Sequence, residues 1–277
     1  MASNQRPDPG NLYLDHISHF VPDLDAAAAV FEALGFTVTP TSVQQTQDGP
    51  AGSSNRCVML PQGYLEILTP THDTPVGRQM RACIDRHVGV HLACFGTPAA
   101  DAEHARLAAH GFEPLPVVRL SRDAGDGLEA RFNVVRVPPE KMPEGRIQFV
   151  EQLTPEAIWR PQYLAHDNGV LGLAAVFVVA YDPVAVAARY ASFSALLPRR
   201  EDGFIRLASE RGDVLIATQA QWIERLGAAP AAPALAGYAL AFDDPAAFAR
   251  RCESAGLAVR SNVVQLPPAL GGAWELR

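Results

Sequence analysis

Two hydrophobic periodicities alternate along the chain. From Leu14 the sequence LDHISHFV changes face every second residue, placing Leu14, His16 and Ser18 on one side of a strand and Ile17, His19 and Val21 on the other. The period then changes to that of a helix. Leu24, Ala27, Ala28, Phe31 and Leu34 form one apolar stripe, with Asp23 ahead of it as N-cap and Gly35 behind it as the stop. A polar, glycine-containing loop is expected over Gln44 to Ser54, followed by strands at Arg56 to Leu60 and Gly63 to Leu68 that meet at a Pro-Gln-Gly turn. Residues 36 to 41 supply the remaining strand, so the unit reads β-α-β-β-β, preceded by a loose tail over residues 1 to 11.

The unit recurs. Val88 to Phe95 is an apolar strand, Thr97-Pro98 a cap and first helical position, and Gly111 the stop. Strands follow over Glu113 to Leu120, Ala130 to Val137 and Arg146 to Leu153. Leu173 to Ala180 runs into Asp182-Pro183 and a helix, and Tyr238 to Phe242 into Asp244-Pro245 and another. A Pro/Ala stretch, residues 227 to 237, reads as the linker between these last two units. Internal repeats set the fold class. The expectation is an α+β protein of four βαβββ modules forming two tandem halves, residues 12–168 and 169–277.

Composition narrows the function. The 277 residues carry a formal net charge of −7, and Lys141 is the sole lysine. Without a basic stripe, nucleic acid is not expected as a partner, and without a long apolar run or a leader-like N-terminus the chain is expected to be cytoplasmic, with no membrane contact. Cys57, Cys83, Cys94 and Cys252 are widely spaced and read as reduced thiols.

Chemistry concentrates in the first half. His16 and His91 lie on the first strands of the first two units, and Glu66 and Glu151 on their last strands. Two imidazoles and two carboxylates converging from neighbouring strands suit a divalent ion such as zinc, nickel, manganese or iron(II), with positions left open for substrate. Glu151 is also the candidate general base, with Gln148 or Gln152 as alternatives for its place on the strand. Arg56 and Arg160 are candidate substrate-binding residues. In the second half the matching positions hold Ala175 or Val176, Gly237 or Tyr238, and Leu215. Only Glu275 keeps a carboxylate, so that half is read as structural.

The repeat, with LDHISHFVPDLDAAAAVFEALGF, YLEIL and GVHLACF, resembles the vicinal oxygen chelate superfamily and its glyoxalase-like domain proteins. The resemblance implies two modules closed into a cup of eight strands around a metal, with His16, Glu66 and His91 at ligand positions and Glu151 as the fourth. It implies a small-molecule substrate that chelates the metal through adjacent oxygens, in a monomer or homodimer. With four protein ligands the implied chemistry is of lyase or isomerase type. Without Glu151, a His-His-Glu iron site of an extradiol-type dioxygenase is implied. A non-catalytic protein that sequesters a small molecule is the third possibility.

Overall fold

The computed structural model describes residues 5–46 and 49–277. β1 (Tyr13–Phe20) leads into α1 (Leu24–Ala33), and β2 (Ser42–Thr46), β3 (Gly49–Met59) and β4 (Tyr64–Pro70) complete the first module. α2 (Pro75–Arg86) precedes the second module, which comprises β5 (Gly89–Gly96), α3 (Ala100–Ala109), β6 (Val118–Gly125), β7 (Leu128–Arg136) and β8 (Arg146–Gln152). These eight strands close into a barrel in the order β1-β4-β3-β2-β6-β7-β8-β5. β1 and β5 run antiparallel at its centre, each flanked by the parallel last strand of its own module.

The second half is built from β9 (Val170–Val179), α4 (Pro183–Ser194), β10 (Pro198–Glu201), β11 (Phe204–Leu207), β12 (Asp213–Ala217), α5 (Gln219–Leu226), β13 (Ala234–Phe242), α6 (Pro245–Ser254), β14 (Val259–Arg260), β15 (Val263–Gln265) and β16 (Ala273–Leu276). Its eight strands stay open, in the order β10-β11-β12-β9-β13-β16-β15-β14. The α+β class and the tandem halves are therefore as expected.

Several local expectations hold for the anticipated reason. The Asp23 carboxylate accepts from the amides of Asp25 and Ala26, and Asp182 and Asp244 cap α4 and α6 in the same manner. Gly35 follows α1 at φ 78°, in the left-handed region. Others shift. Residues 44–54 belong mostly to β2 and β3 rather than a loop, with residues 47–48 outside the described set. Of the expected tail, residues 1–4 lie outside the described set, whereas Gln5 is buried and donates to the Pro61 carbonyl at 2.8 Å. Part of the Pro/Ala stretch is strand, since β13 begins at Ala234.

The two halves share one core. Ile17, Phe31, Phe95 and Phe149 of the barrel's outer face pack in a single cluster with Tyr190, Phe193, Tyr238 and Trp274 of the second half. Strands β1, β5, β8, β9 and β13 are accordingly buried on both faces, which is why their sequences read as near-continuous apolar runs. A second cluster, with Phe20, Met59, Tyr64, Leu92, Phe132 and Trp159, fills part of the barrel interior. The far face of the open sheet is covered by α5, whose Trp222 stacks on Phe177.

Candidate active site in the barrel

Strand alternation decides which side chains enter the barrel. His16 on β1, Asn55 on β3, Tyr64 and Glu66 on β4, Arg122 on β6, Arg136 on β7, and Arg146 and Gln148 on β8 line one central cavity with Gln44. The cavity itself is small, about 40 Å³. It lies between two larger ones. One of about 440 Å³ shares Arg122 with it, and one of about 390 Å³ shares Arg136 and Arg146.

Glu66 is the centre of a buried polar cluster. Register sets Ser18 opposite Glu66, and the Ser18 hydroxyl donates to Oε2 at 2.6 Å. Oε1 accepts from Asn55 Nδ2 at 2.5 Å and from Gln44 Nε2 at 3.2 Å. Asn55 in turn accepts from Arg122 Nη1 at 3.1 Å, so the guanidinium reaches the carboxylate through one amide. Burial works against the Arg122 charge, but Cys57, Tyr64 and Glu66 outweigh it and hold its pKa above the ordinary arginine value.

His16 faces the same carboxylate, with Nε2 3.9 Å from Glu66 Oε2. Its Nδ1 pairs with Asp15 Oδ1 at 2.7 Å, and its ring stacks on Tyr64 at 4.3 Å between centroids. Asp15 is fully buried and also accepts from Gln152 Nε2 at 3.1 Å. The close turn at Gly63 supports this arrangement. A Cβ there would lie 2.7 Å from the Asp15 carbonyl oxygen, and Gly63 sits at φ 81°. Burial opposes an imidazolium at His16, but the surroundings, Cys94 and the hydrogen-bonded Asp15 above all, raise its pKa well above the ordinary histidine value. Burial raises the Cys57 and Cys94 thiols, while Arg122 and His16 respectively pull them the other way.

Of the four expected metal ligands, the structure brings together His16 and Glu66. His91 does not line the cavity. β1 and β5 slip register between the pairs Ser18–Leu92 and His19–Val90, which leaves His91 as the extra residue of a bulge. Its ring packs on His87 and Phe20, its Nε2 bonds the His87 carbonyl at 2.8 Å, and burial lowers its pKa to about 3. Glu151 faces outward. It accepts from the Ala100 amide at 3.3 Å and from Asn133 at 3.0 Å, and pairs with Arg6, so it caps α3 from a neighbouring strand. It takes the place of the Thr97 cap expected from sequence, since α3 begins at Ala100 and Ala99 offers no side-chain bond.

The candidate substrate residues are also occupied elsewhere. Arg56 bonds the Thr39 carbonyl and pairs with Glu32 on α1, outside the barrel. Arg160 pairs with Asp126 and donates to the Ala124 carbonyl at 3.0 Å, pinning the β6–β7 turn beside the larger cavity.

The barrel's internal twofold explains what replaces the missing ligands. The pairs His16–Cys94 and Ser18–Leu92 exchange under it, so Leu92 is the counterpart of His16. Ser18 pairs with Glu66 and Cys94 with Gln148, so Gln148 is the counterpart of Glu66. Among the described residues, no three His, Cys, Asp or Glu side chains converge as metal donors. The residues present therefore do not fit a four-ligand centre. What the second module offers is the Gln148 carboxamide, whose Oε1 is buried and has no hydrogen-bond partner.

Sequence reasoning missed Ser18, Gln44, Tyr64, Arg122, Arg136 and Arg146, all of which lie in or beside the cavity. The alternation Arg146, Gln148, Val150 was the usable signal, because it opposes Ile147 and Phe149, which pack outward against the second half.

A glyoxalase-like domain family model matches residues 14–194. No curated protein matches the sequence. A hypothetical protein from Staphylococcus aureus shares the fold over 96% of this chain and 99% of its own, at 12% identity and a TM-score of 0.69. A mutant of 4-hydroxymandelate synthase from Streptomyces coelicolor aligns over 93% of this chain and 77% of its own, at 16% identity and a TM-score of 0.57. A xylose isomerase-like TIM barrel/4-hydroxyphenylpyruvate dioxygenase fusion protein aligns over 96% of this chain but 42% of its own, at 13% identity and a TM-score of 0.57. At such identities the likeness is one of fold.

Proposed function

We propose that this chain, which belongs to the glyoxalase-like domain family, is an enzyme that moves a proton on a small carbonyl compound bound in the barrel, with Glu66 as the proton carrier. The observation that carries this reading is the Glu66 carboxylate, held by Ser18, Asn55 and Gln44 and facing His16 across 3.9 Å inside a cavity lined by guanidinium groups. Glu66 takes a proton from the carbon beside the carbonyl, and the electron pair of that C–H bond moves onto the carbonyl oxygen. Arg122 stabilises the developing negative charge, and its tie to Asn55 fixes it before the reaction begins. His16, backed by Asp15, is the second group able to return a proton to the substrate.

A second reading keeps a divalent metal, and the unpartnered Gln148 Oε1 favours it. His16, Glu66 and Gln148 would be the donors, and the ion would polarise the same carbonyl. The oxygenase alternative loses support from the donor set, because the cavity is lined by one histidine rather than two.

The test is solvent exchange. Small 2-oxo and 2-hydroxy compounds incubated with the protein in deuterium oxide are expected to gain deuterium beside the carbonyl. Glu66→Gln is expected to slow this by roughly 100-fold or more while binding persists. Binding without exchange in the unaltered protein would overturn the enzyme reading and leave a sequestering protein. Exchange that is lost on chelation, is restored by zinc, nickel, manganese or iron(II), and is abolished in Gln148→Leu would establish the second reading over the first.

A further inference from the structure

The barrel end under α2 holds two guanidinium groups that the reaction above does not use. Arg136, the last residue of β7, and Arg146, the first of β8, both line the central cavity and the neighbouring one of about 390 Å³. Both are half-buried, yet among the described residues neither forms an ion pair. Arg136 Nε is buried without any partner, and Arg146 donates to the neutral Gln79 Oε1 at 2.7 Å and lies over the Phe20 ring at 5.5 Å. Burial, then the charge of Arg136, pushes the Arg146 pKa down to about 9, and burial lowers that of Arg136.

Two adjacent cations partly withdrawn from water are costly to fold around, and Glu66 in the same central cavity favours both charges but, among the described residues, forms an ion pair with neither. Other arginines of this chain with half-buried side chains have carboxylates. Arg225 and Arg277 share Glu275, and Arg189 pairs with Glu144. The pair at Arg136 and Arg146 has the donors of such a bridge and lacks the acid. The rest of the cavity is apolar, with Val76, Leu115, Pro138 and Met142 among its lining residues, so the anion that fits comes on a short carbon chain.

We infer that Arg136 and Arg146 form a carboxylate-binding subsite, entered from the α2 side, which selects carbonyl substrates bearing a second, distal carboxylate. The inference rests on the barrel being the substrate site. A planar carboxylate accepts two parallel N–H bonds from each guanidinium fork, and the orphaned Arg136 Nε supplies a donor already aimed into the cavity. Gln79 holds Arg146 from α2, so the helix positions one half of the clamp.

Isothermal titration of the full chain with short 2-oxo-dicarboxylates and their terminal monoamides tests this without requiring turnover. The diacid is expected to bind roughly 100-fold more tightly than its monoamide, and Arg136→Gln and Arg146→Gln are each expected to erase that preference. The melting temperature of each variant without ligand is expected to stay level or rise, because a buried like-charge pair has been relieved, whereas a purely structural arginine would lower it. Equal binding of diacid and monoamide, or a preference that survives both substitutions, would overturn the subsite. Deuterium exchange failing while the diacid preference holds would remove the enzyme reading and leave the subsite in place.

Discussion

His19 gives the sharpest prediction about stability. It lies on β1 three residues beyond His16, but strand alternation turns it away from the cavity and into the seam between the halves. Its Nδ1 donates to the Leu270 carbonyl at 2.8 Å, and its Nε2 accepts from the Tyr238 hydroxyl at 3.0 Å. The side chain is fully buried, and burial lowers its pKa to about 4 despite the opposing pull of the Leu270 bond. In the unfolded chain an ordinary histidine titrates near 6.5. The folded state therefore excludes a proton that the unfolded state accepts. The stability this provides is complete above about pH 6.5, and is lost as pH falls through the window down to about 4. The gap corresponds to roughly 3 kcal/mol at its limit, of which about 2 kcal/mol is gone by pH 5. Urea unfolding at pH 7.5, 6 and 5, at fixed ionic strength, measures the loss. His19→Gln keeps a donor and an acceptor but cannot titrate, so its stability is expected to fall less steeply by about that amount. His91, lowered to about 3, titrates in both proteins and cancels in the comparison. Parallel pH profiles for the two proteins would refute the argument.

Two further outcomes follow from packing. Glu151→Ala is expected to cost about 1 kcal/mol by thermal unfolding, the usual loss of a helix cap, with no change in ligand affinity or metal content, because its carboxylate serves α3 rather than the cavity. Trp222→Ala is expected to cost about 3–5 kcal/mol. It deletes a fully buried ring stacked on Phe177 and strands the Val178 carbonyl that its Nε1 now bonds at 2.8 Å. Ligand binding in the barrel should be retained in that variant at temperatures where it stays folded.

The repeat was legible because each module announces itself locally. A strand, an aspartate cap and a glycine stop are short-range signals, and Asp23, Asp182 and Asp244 all cap as anticipated. Facing was not legible where both sides of a strand are buried. On β8 the apolar Phe149 suggested an inward position, and Glu151 was assigned by its parity, but Phe149 packs against Phe193 of the second half. The barrel's outer wall is a core in its own right, so hydrophobicity carries no information about which side is which. His91 failed for a different reason. One inserted residue opposite Ser18 and His19 shifts the register, and a bulge of that kind leaves no mark in composition. The arginines of the cavity lie on three different strands with no motif joining them, and only the closure of the barrel brings Arg122, Arg136 and Arg146 to one space. The second half keeps one carboxylate at the matching position. Glu275 is consumed by Arg225 and Arg277.

Leaving one eight-stranded sheet open while closing the other creates two free edges, and unpaired strand edges invite other chains to add to them. Here both are blunted. β10 at one end reads Pro-Arg-Arg-Glu and is exposed along its whole length, so a proline and three charges line the rim. β14 at the other end is two residues long and carries Arg260. Neither rim offers the stretch of uncharged backbone that a growing cross-strand ladder needs. The second half can therefore give up closure, and cover one face with α5, without becoming a template for aggregation.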